Sequence, residues 1–115
     1  MDNTSISSEH DYSYYPVCEE NALPIGERLF IEINHEPIVI INQDGKLFAI
    51  GDVCTHDNGP VGDGEIEEGS IICPRHGARF EIATGKALTL PAVEDIPSYV
   101  VRIISGQIEI GLPKG

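Results

Sequence analysis

Two short segments carry the residues on which chemistry could be built, Cys54-Thr55-His56 and Cys73-Pro74-Arg75-His76, with sixteen residues between them. Each offers one thiolate and one imidazole. Two soft sulfur ligands and two nitrogen ligands in one small chain describe a metal centre, and with iron such a centre can carry an electron. The C-x-H spacing sets both side chains on one side of a tight loop. Asn58-Gly59-Pro60 follows the first pair and Gly77 follows the second, so both loops have the turn residues that close backbone approach to a ligand needs.

Three pairings of these groups are chemically open. Cys54 and Cys73 could form a disulfide, but nothing in the chain indicates an oxidising compartment, and the two matched histidines would then be coincidental. Two Cys and two His also suit a tetrahedral structural zinc site. Zinc fingers, however, usually take Cys with Cys and His with His along the chain, whereas here each loop supplies one of each. Iron with sulfide is the third pairing, and the mixed loops favour it.

C-x-H, sixteen residues, then C-x-x-H, with Gly and Pro in these places, resembles the Rieske motif. The likeness extends to Gly45-Lys46-Leu47-Phe48-Ala49-Ile50, similar to the strand feeding the first Rieske loop, and to Arg79-Phe80 with Thr84-Gly85-Lys86, similar to the hairpin leaving the second. It covers roughly residues 14 to 112. The resemblance implies one 2Fe-2S cluster per chain, with Cys54 and Cys73 on the inner iron and His56 and His76 on the outer one. Leu90-Pro91-Ala92 resembles the third, proline-bearing loop that covers the cluster in this family.

High-potential Rieske proteins carry an extra Cys in each loop, joined as a disulfide, and a Ser and a Tyr that donate hydrogen bonds to the cluster sulfurs. Here the matching positions are Arg75, Ala78 and Phe80, and the first loop, Asp57 to Pro60, has no cysteine. The chain therefore looks like the small soluble Rieske ferredoxins. The resemblance implies an electron carrier, not an enzyme, that takes electrons from a flavoprotein ferredoxin reductase and delivers them to a terminal ring-hydroxylating oxygenase. Its potential is expected in the lower part of the Rieske span of roughly −150 to +300 mV. Stand-alone Rieske-like carriers linked to iron-sulfur assembly share the C-T-H-D-N-G-P and C-P-R-H-G-A-R-F pattern and form the alternative, with a zinc-bound interaction module as the non-redox one.

The elements that must position these loops read as β structure. Short runs rich in β-branched and aromatic residues at Tyr14 to Cys18, Arg28 to Ile33, Pro37 to Asn42, Lys46 to Ile50, Ser98 to Ile104 and Gln107 to Leu112 are separated by turn signals. Asp44-Gly45 and Ser105-Gly106 are the strongest hairpin turns, and Asn34-His35-Glu36-Pro37 reads as a third connection. No window of ten residues shows a helical repeat. The expected fold is all-β, an antiparallel sandwich or barrel, with the family resemblance adding a smaller inserted cluster-binding lobe at about residues 51–91. Residues 1–12 are polar and read as a flexible arm before a single domain over 13–115.

A chain of 115 residues has no room for a second, catalytic domain. Nineteen acidic against seven basic residues give a formal charge of −12, which argues against nucleic acid and suits electrostatic steering toward a basic redox partner. The longest aliphatic run is Ile38-Val39-Ile40-Ile41, far short of a membrane span, and the first residues lack the basic and apolar regions of a signal peptide. No membrane association and a cytoplasmic location are the expectations. Cys18, in Tyr15-Pro16-Val17-Cys18, reads as a small buried apolar residue, His10 and His35 as surface residues, and Arg75 as a contact for a partner.

Overall fold

The structure, a computed structural model, describes residues 12–55, 59–75, 77–90 and 94–114. They form nine strands: β1 (Tyr12–Glu19), β2 (Arg28–Ile33), β3 (Glu36–Gln43), β4 (Lys46–Gly51), β5 (Glu65–Glu67), β6 (Ser70–Ile72), β7 (Arg79–Glu81), β8 (Ser98–Ile104) and β9 (Gln107–Pro113). A 3-10 turn at Glu20–Ala22 is the sole helical element among the described residues. The expected all-β architecture is what folds. Six strands make one curled antiparallel sheet in the order β1-β9-β8-β4-β3-β2, and β5-β6-β7 make a second, smaller sheet inserted between β4 and β8.

Hairpin chemistry sets the register of both sheets. Asn34-His35, Asp44-Gly45, Glu68-Gly69 and Ser105-Gly106 each join two antiparallel strands with both central residues at positive φ, the geometry that follows the right-handed twist of a strand pair. Tyr12, grouped with the arm in the sequence reading, opens β1 opposite Pro113. The rest of the arm lies outside the described residues. Pro16 sits on β1, an edge strand, where its missing N–H costs the ladder least, next to an irregularity between Pro16 and Cys18.

The aliphatic run on β3 explains how the lobe is attached. Ile38 and Ile40 point into the barrel core with Ile33, Ala49, Ile108, Ile110 and Leu112. Val39 and Ile41 point the other way, into a second core with Ile50, Cys54, Val61, Ile71, Cys73, Ala78, Phe80, Ile82 and Ile96. A strand covered on both faces needs apolar residues at consecutive positions, and this gives the run its unbroken character. Each fully buried isoleucine stabilises the fold by about 1.5–3 kcal/mol relative to exposure. β4 repeats the division, with Leu47 and Ala49 toward the barrel and Phe48 and Ile50 toward the lobe. The floor of the inserted sheet is thus the outer face of β3 and β4.

Candidate metal centre

Both cysteines of the motif lie in the core beneath the inserted sheet, Cys54 at 0% and Cys73 at 1% exposure. No disulfide joins them. Their loops are closed in the same way: the Cys54 N–H donates to the Gly59 carbonyl at 2.7 Å and the Cys73 N–H to the Ala78 carbonyl at 2.7 Å, each bond spanning five residues. In the second loop the Gly77 N–H also donates back to the Cys73 carbonyl at 3.0 Å, with Gly77 at φ +79°. This conformation favours glycine. His56 and His76, the other two expected ligands, lie outside the described residues, as do Asp57, Asn58 and the Pro91-Ala92 part of the third loop.

Several side chains hold the first loop from outside. Asp52 Oδ1 accepts from the Val61 N–H at 3.0 Å and from the Gly62 N–H at 2.6 Å, so one carboxylate binds the start of the loop to its end. Arg28, reaching across from β2, donates through Nη1 to the Gly62 carbonyl at 2.6 Å and the Gly64 carbonyl at 2.7 Å. Gly62 has no space for a side chain, since a Cβ there would sit 2.6 Å from Phe30 and 2.8 Å from Asp52 Oδ1. Thr55 donates to the Glu94 carbonyl at 2.5 Å, which brings the chain just past the third loop against the first. Leu90, the described residue of the third-loop motif, is 77% exposed.

Arg75 is exposed and spans the two ligand loops, donating from Nη1 to the Pro60 carbonyl at 2.7 Å. Arg79, expected in the hairpin leaving the second loop, pairs with Glu67 at 3.0 Å and so joins β7 to β5. At this exposure such a pair is worth about 0–1 kcal/mol. Ala78 and Phe80 are fully buried in the same core as the two thiols and bring no hydroxyl to it.

Cys18 lies on β1, half-buried against the barrel core and in a different cluster from the motif cysteines. Burial, and secondarily the charge of Glu19, pushes its thiol pKa up, which keeps it in the unreactive form. His35 occupies its hairpin turn, nearly fully exposed, with Nδ1 3.7 Å from Glu32.

Sequence reasoning missed Asp52 and Arg28. The Asp52 contacts run nine and ten residues along the chain, longer than any local capping or turn pattern. Arg28 left one trace, as a cation within a strand of a strongly acidic chain.

The donor set fits an iron-sulfur group. Two buried cysteines sit in one core at equivalent places of two loops whose backbones are closed alike, which suits a soft metal with sulfur ligands. Among the described residues no helix is long and apolar enough to cross a membrane.

Comparison with known proteins gives the same picture. The chain is 38% identical over 98 residues to the 3-phenylpropionate/cinnamic acid dioxygenase ferredoxin subunit of Escherichia coli (strain K12), a match covering 84% of this chain and 92% of that one. It is 33% identical over 99 residues to the biphenyl 2,3-dioxygenase ferredoxin component of Rhodococcus jostii (strain RHA1), covering 86% and 92%. Among solved structures, the Sphingomonas yanoikuyae B1 ferredoxin superposes with a TM-score of 0.78 at 31% identity, over 88% of this chain and all of that one. The family model for the Rieske [2Fe-2S] domain matches residues 13–100. With that match over most of its length, and with relatives of its own size, this chain belongs to the Rieske [2Fe-2S] domain family.

Proposed function

We propose that this chain is the ferredoxin component of a ring-hydroxylating dioxygenase system, an electron carrier and not itself a catalyst. It would accept electrons from a flavoprotein ferredoxin reductase and deliver them to a terminal oxygenase. The observation that carries this reading is the pair of buried cysteines, unjoined by a disulfide, on two like-closed loops, in a chain whose relatives are dioxygenase ferredoxins over nearly their whole length. The working unit is a single domain over 13–115 with its cluster-binding lobe at about 51–91, acting in the cytoplasm.

In this reading each chain holds one 2Fe-2S cluster, with Cys54 and Cys73 on one iron and His56 and His76 on the other. When bound, that group stores and releases a single electron. The protein's own contribution is burial and positioning. Val39, Ile41, Ile50, Ile71 and Phe80 keep water from the thiols, while Asp52, Arg28 and the two loop-closing N–H bonds fix the backbone that carries them. Ala78 and Phe80 supply no hydroxyl donor, which supports a potential in the lower part of the Rieske span.

An EPR spectrum of the dithionite-reduced protein, with iron and acid-labile sulfide analysis, tests this reading. The expected result is two irons and two sulfides per chain and an average g value lowered by mixed Cys/His ligation. Colourless protein with one zinc would overturn the redox reading. Stopped-flow reduction by a dioxygenase-system reductase should slow as salt rises, since a chain of formal charge −12 is guided by attraction that a Debye length of about 8 Å cuts short.

A further inference from the structure

Arg75 sits at the tip of the second loop, yet its side chain is spent on the first. Nη1 donates to the Pro60 carbonyl at 2.7 Å. The rest of the guanidinium lies so close to Gly59 that a Cβ on that residue would come 2.8 Å from both Cζ and Nη2. Gly59 is the residue whose carbonyl closes the first loop on the Cys54 N–H, and Arg75 lies inside the turn closed by Cys73 and Ala78. One planar cation therefore touches the closing residue of one loop from within the other. In a chain with only seven basic residues, an exposed arginine is here fixed against its own backbone.

We propose that Arg75 is a positioning residue, a non-covalent clasp that joins the two cysteine loops so that their tips keep a fixed spacing. The inference rests on the carrier reading for what the loops hold, but the clasp itself is a property of Gly59, Pro60 and Arg75. The geometry asks for arginine. A lysine ammonium can donate to the Pro60 carbonyl, but it has no flat face to lay on Gly59. It also asks for glycine at 59, because any Cβ displaces the guanidinium. The rest of the lobe does not need the contact, since Asp52 and Arg28 hold the loop downstream at residues 61–64.

The test uses holoprotein carrying Arg75→Gln, Arg75→Lys, Gly59→Ala and the Gly59→Ala/Arg75→Gln pair. Three quantities are read: iron release to a ferrous chelator after reduction, EPR linewidth, and hydrogen exchange of the peptide covering residues 54–62. Arg75→Gln should speed iron release about tenfold or more, the usual scale for removing a group that orients metal ligands. It should also broaden the EPR lines. Arg75→Lys should fall between wild type and Gln. Gly59→Ala should speed release in the wild-type background and add nothing to Arg75→Gln, because both break the same contact. Wild-type iron release in Arg75→Gln, or effects that multiply in the double variant, would overturn the clasp. So would a changed potential with unchanged release and exchange, which would mark Arg75 as a charge alone. If the wild-type protein binds no 2Fe-2S cluster the carrier reading fails, and exchange of residues 54–62 in the metal-free protein still decides the clasp: faster in Arg75→Gln supports it, unchanged refutes it.

Discussion

In the six-stranded sheet, β2, β3 and β4 run six to eight residues and hold each other through a continuous backbone ladder, whereas no strand of the inserted sheet exceeds three. The larger sheet gets its shape from strand pairing and an alternating apolar face. The lobe has little ladder to rely on. It is held instead by side chains that grip backbone, such as Asp52, Arg28, Thr55 and Arg75, and by glycines that let segments approach closely. The division suits a carrier. Short loops can wrap a ligand on several sides, and the barrel wall behind them supplies a packed apolar floor.

The sharpest break between the two regions should come from the ligands. Cys54→Ser, Cys73→Ser, His56→Ala and His76→Ala are each expected to abolish the visible spectrum of the assembled cluster or leave it labile, while His35→Ala and Cys18→Ser retain it. In the Cys73→Ser protein, amides of β2, β3, β8 and β9 should stay protected from hydrogen exchange while those of β5 to β7 exchange faster. A barrel that loses protection together with the lobe would show that the two regions are one cooperative unit, contrary to their separate cores.

Glycine substitutions sharpen the contrast, since the two regions use this residue for different reasons. Gly85 in the lobe has φ +80°, and a Cβ on it would lie 2.0 Å from the carbonyl oxygen of Ile96, a residue whose N–H donates to the Gly85 carbonyl. Gly85→Ala should cost about 3 kcal/mol in urea unfolding, combining a left-handed penalty with a clash that only backbone movement relieves. Gly45, in a barrel hairpin, has φ +94° and nothing within 4 Å of the added carbon. There the conformational penalty acts alone, and Gly45→Ala should cost about 1 kcal/mol. Equal costs would mean that close approach is not what glycine provides in the lobe.

Between these lies Asp52. Asp52→Ala removes the acceptor of two backbone donors, Val61 and Gly62, and should cost about 2 kcal/mol and speed iron release. Asp52→Asn keeps an oxygen in place and should recover part of both losses. If Asn behaves as Ala does, the charge and not the geometry holds the loop.

The same contrast explains what the sequence made legible. All six barrel strands could be read within two residues of their ends, because alternation and hairpin dipeptides such as Asp44-Gly45 and Ser105-Gly106 are local signals. The two Cys-His segments stood out for another reason: they set a thiol and an imidazole at short spacing twice, and Gly59 and Gly77 mark the turns beside them. β5 and β6 were not proposed as strands, and β7 was reached only through the family resemblance, as a hairpin at Arg79-Phe80. Three residues are too few to show a period, and Glu65 and Glu67 lie on a strand that leads into a tight turn at Glu68-Gly69. Arg75 was read as a partner contact, and its Nη1 donates to its own first loop. Long-range grips of this kind leave no local trace, since the residues that answer each other are nine to thirty-nine positions apart.

The smallest expected effect belongs to the barrel and should leave the lobe untouched. β4 and β8 share only two residue pairs, Ala49 with Tyr99 and Ile50 with Ser98, so this junction of the large sheet relies on side chains for support. One is Tyr99, whose hydroxyl donates to Glu36 Oε1 at 2.8 Å, sixty-three residues away in sequence. Burial first, then that hydrogen bond and the Glu36 charge, push the phenol pKa well above its ordinary value of about 10. A folded-state pKa above the unfolded one means that the contribution is fully present while both states stay protonated, up to about pH 10. Above that the unfolded chain sheds its proton while the folded protein keeps it, so the contribution declines as pH rises toward the raised folded value. Tyr99→Phe, which deletes one partly exposed hydrogen bond, should therefore destabilise by about 0.5–1 kcal/mol at pH 8. It should also remove that alkaline decline, so that wild type and variant converge between pH 10 and 11 in urea unfolding. Iron release should be unchanged. A gap that widened with pH would reverse the sign of the linkage, and faster iron release would mean that the β4–β8 junction transmits strain into the lobe after all.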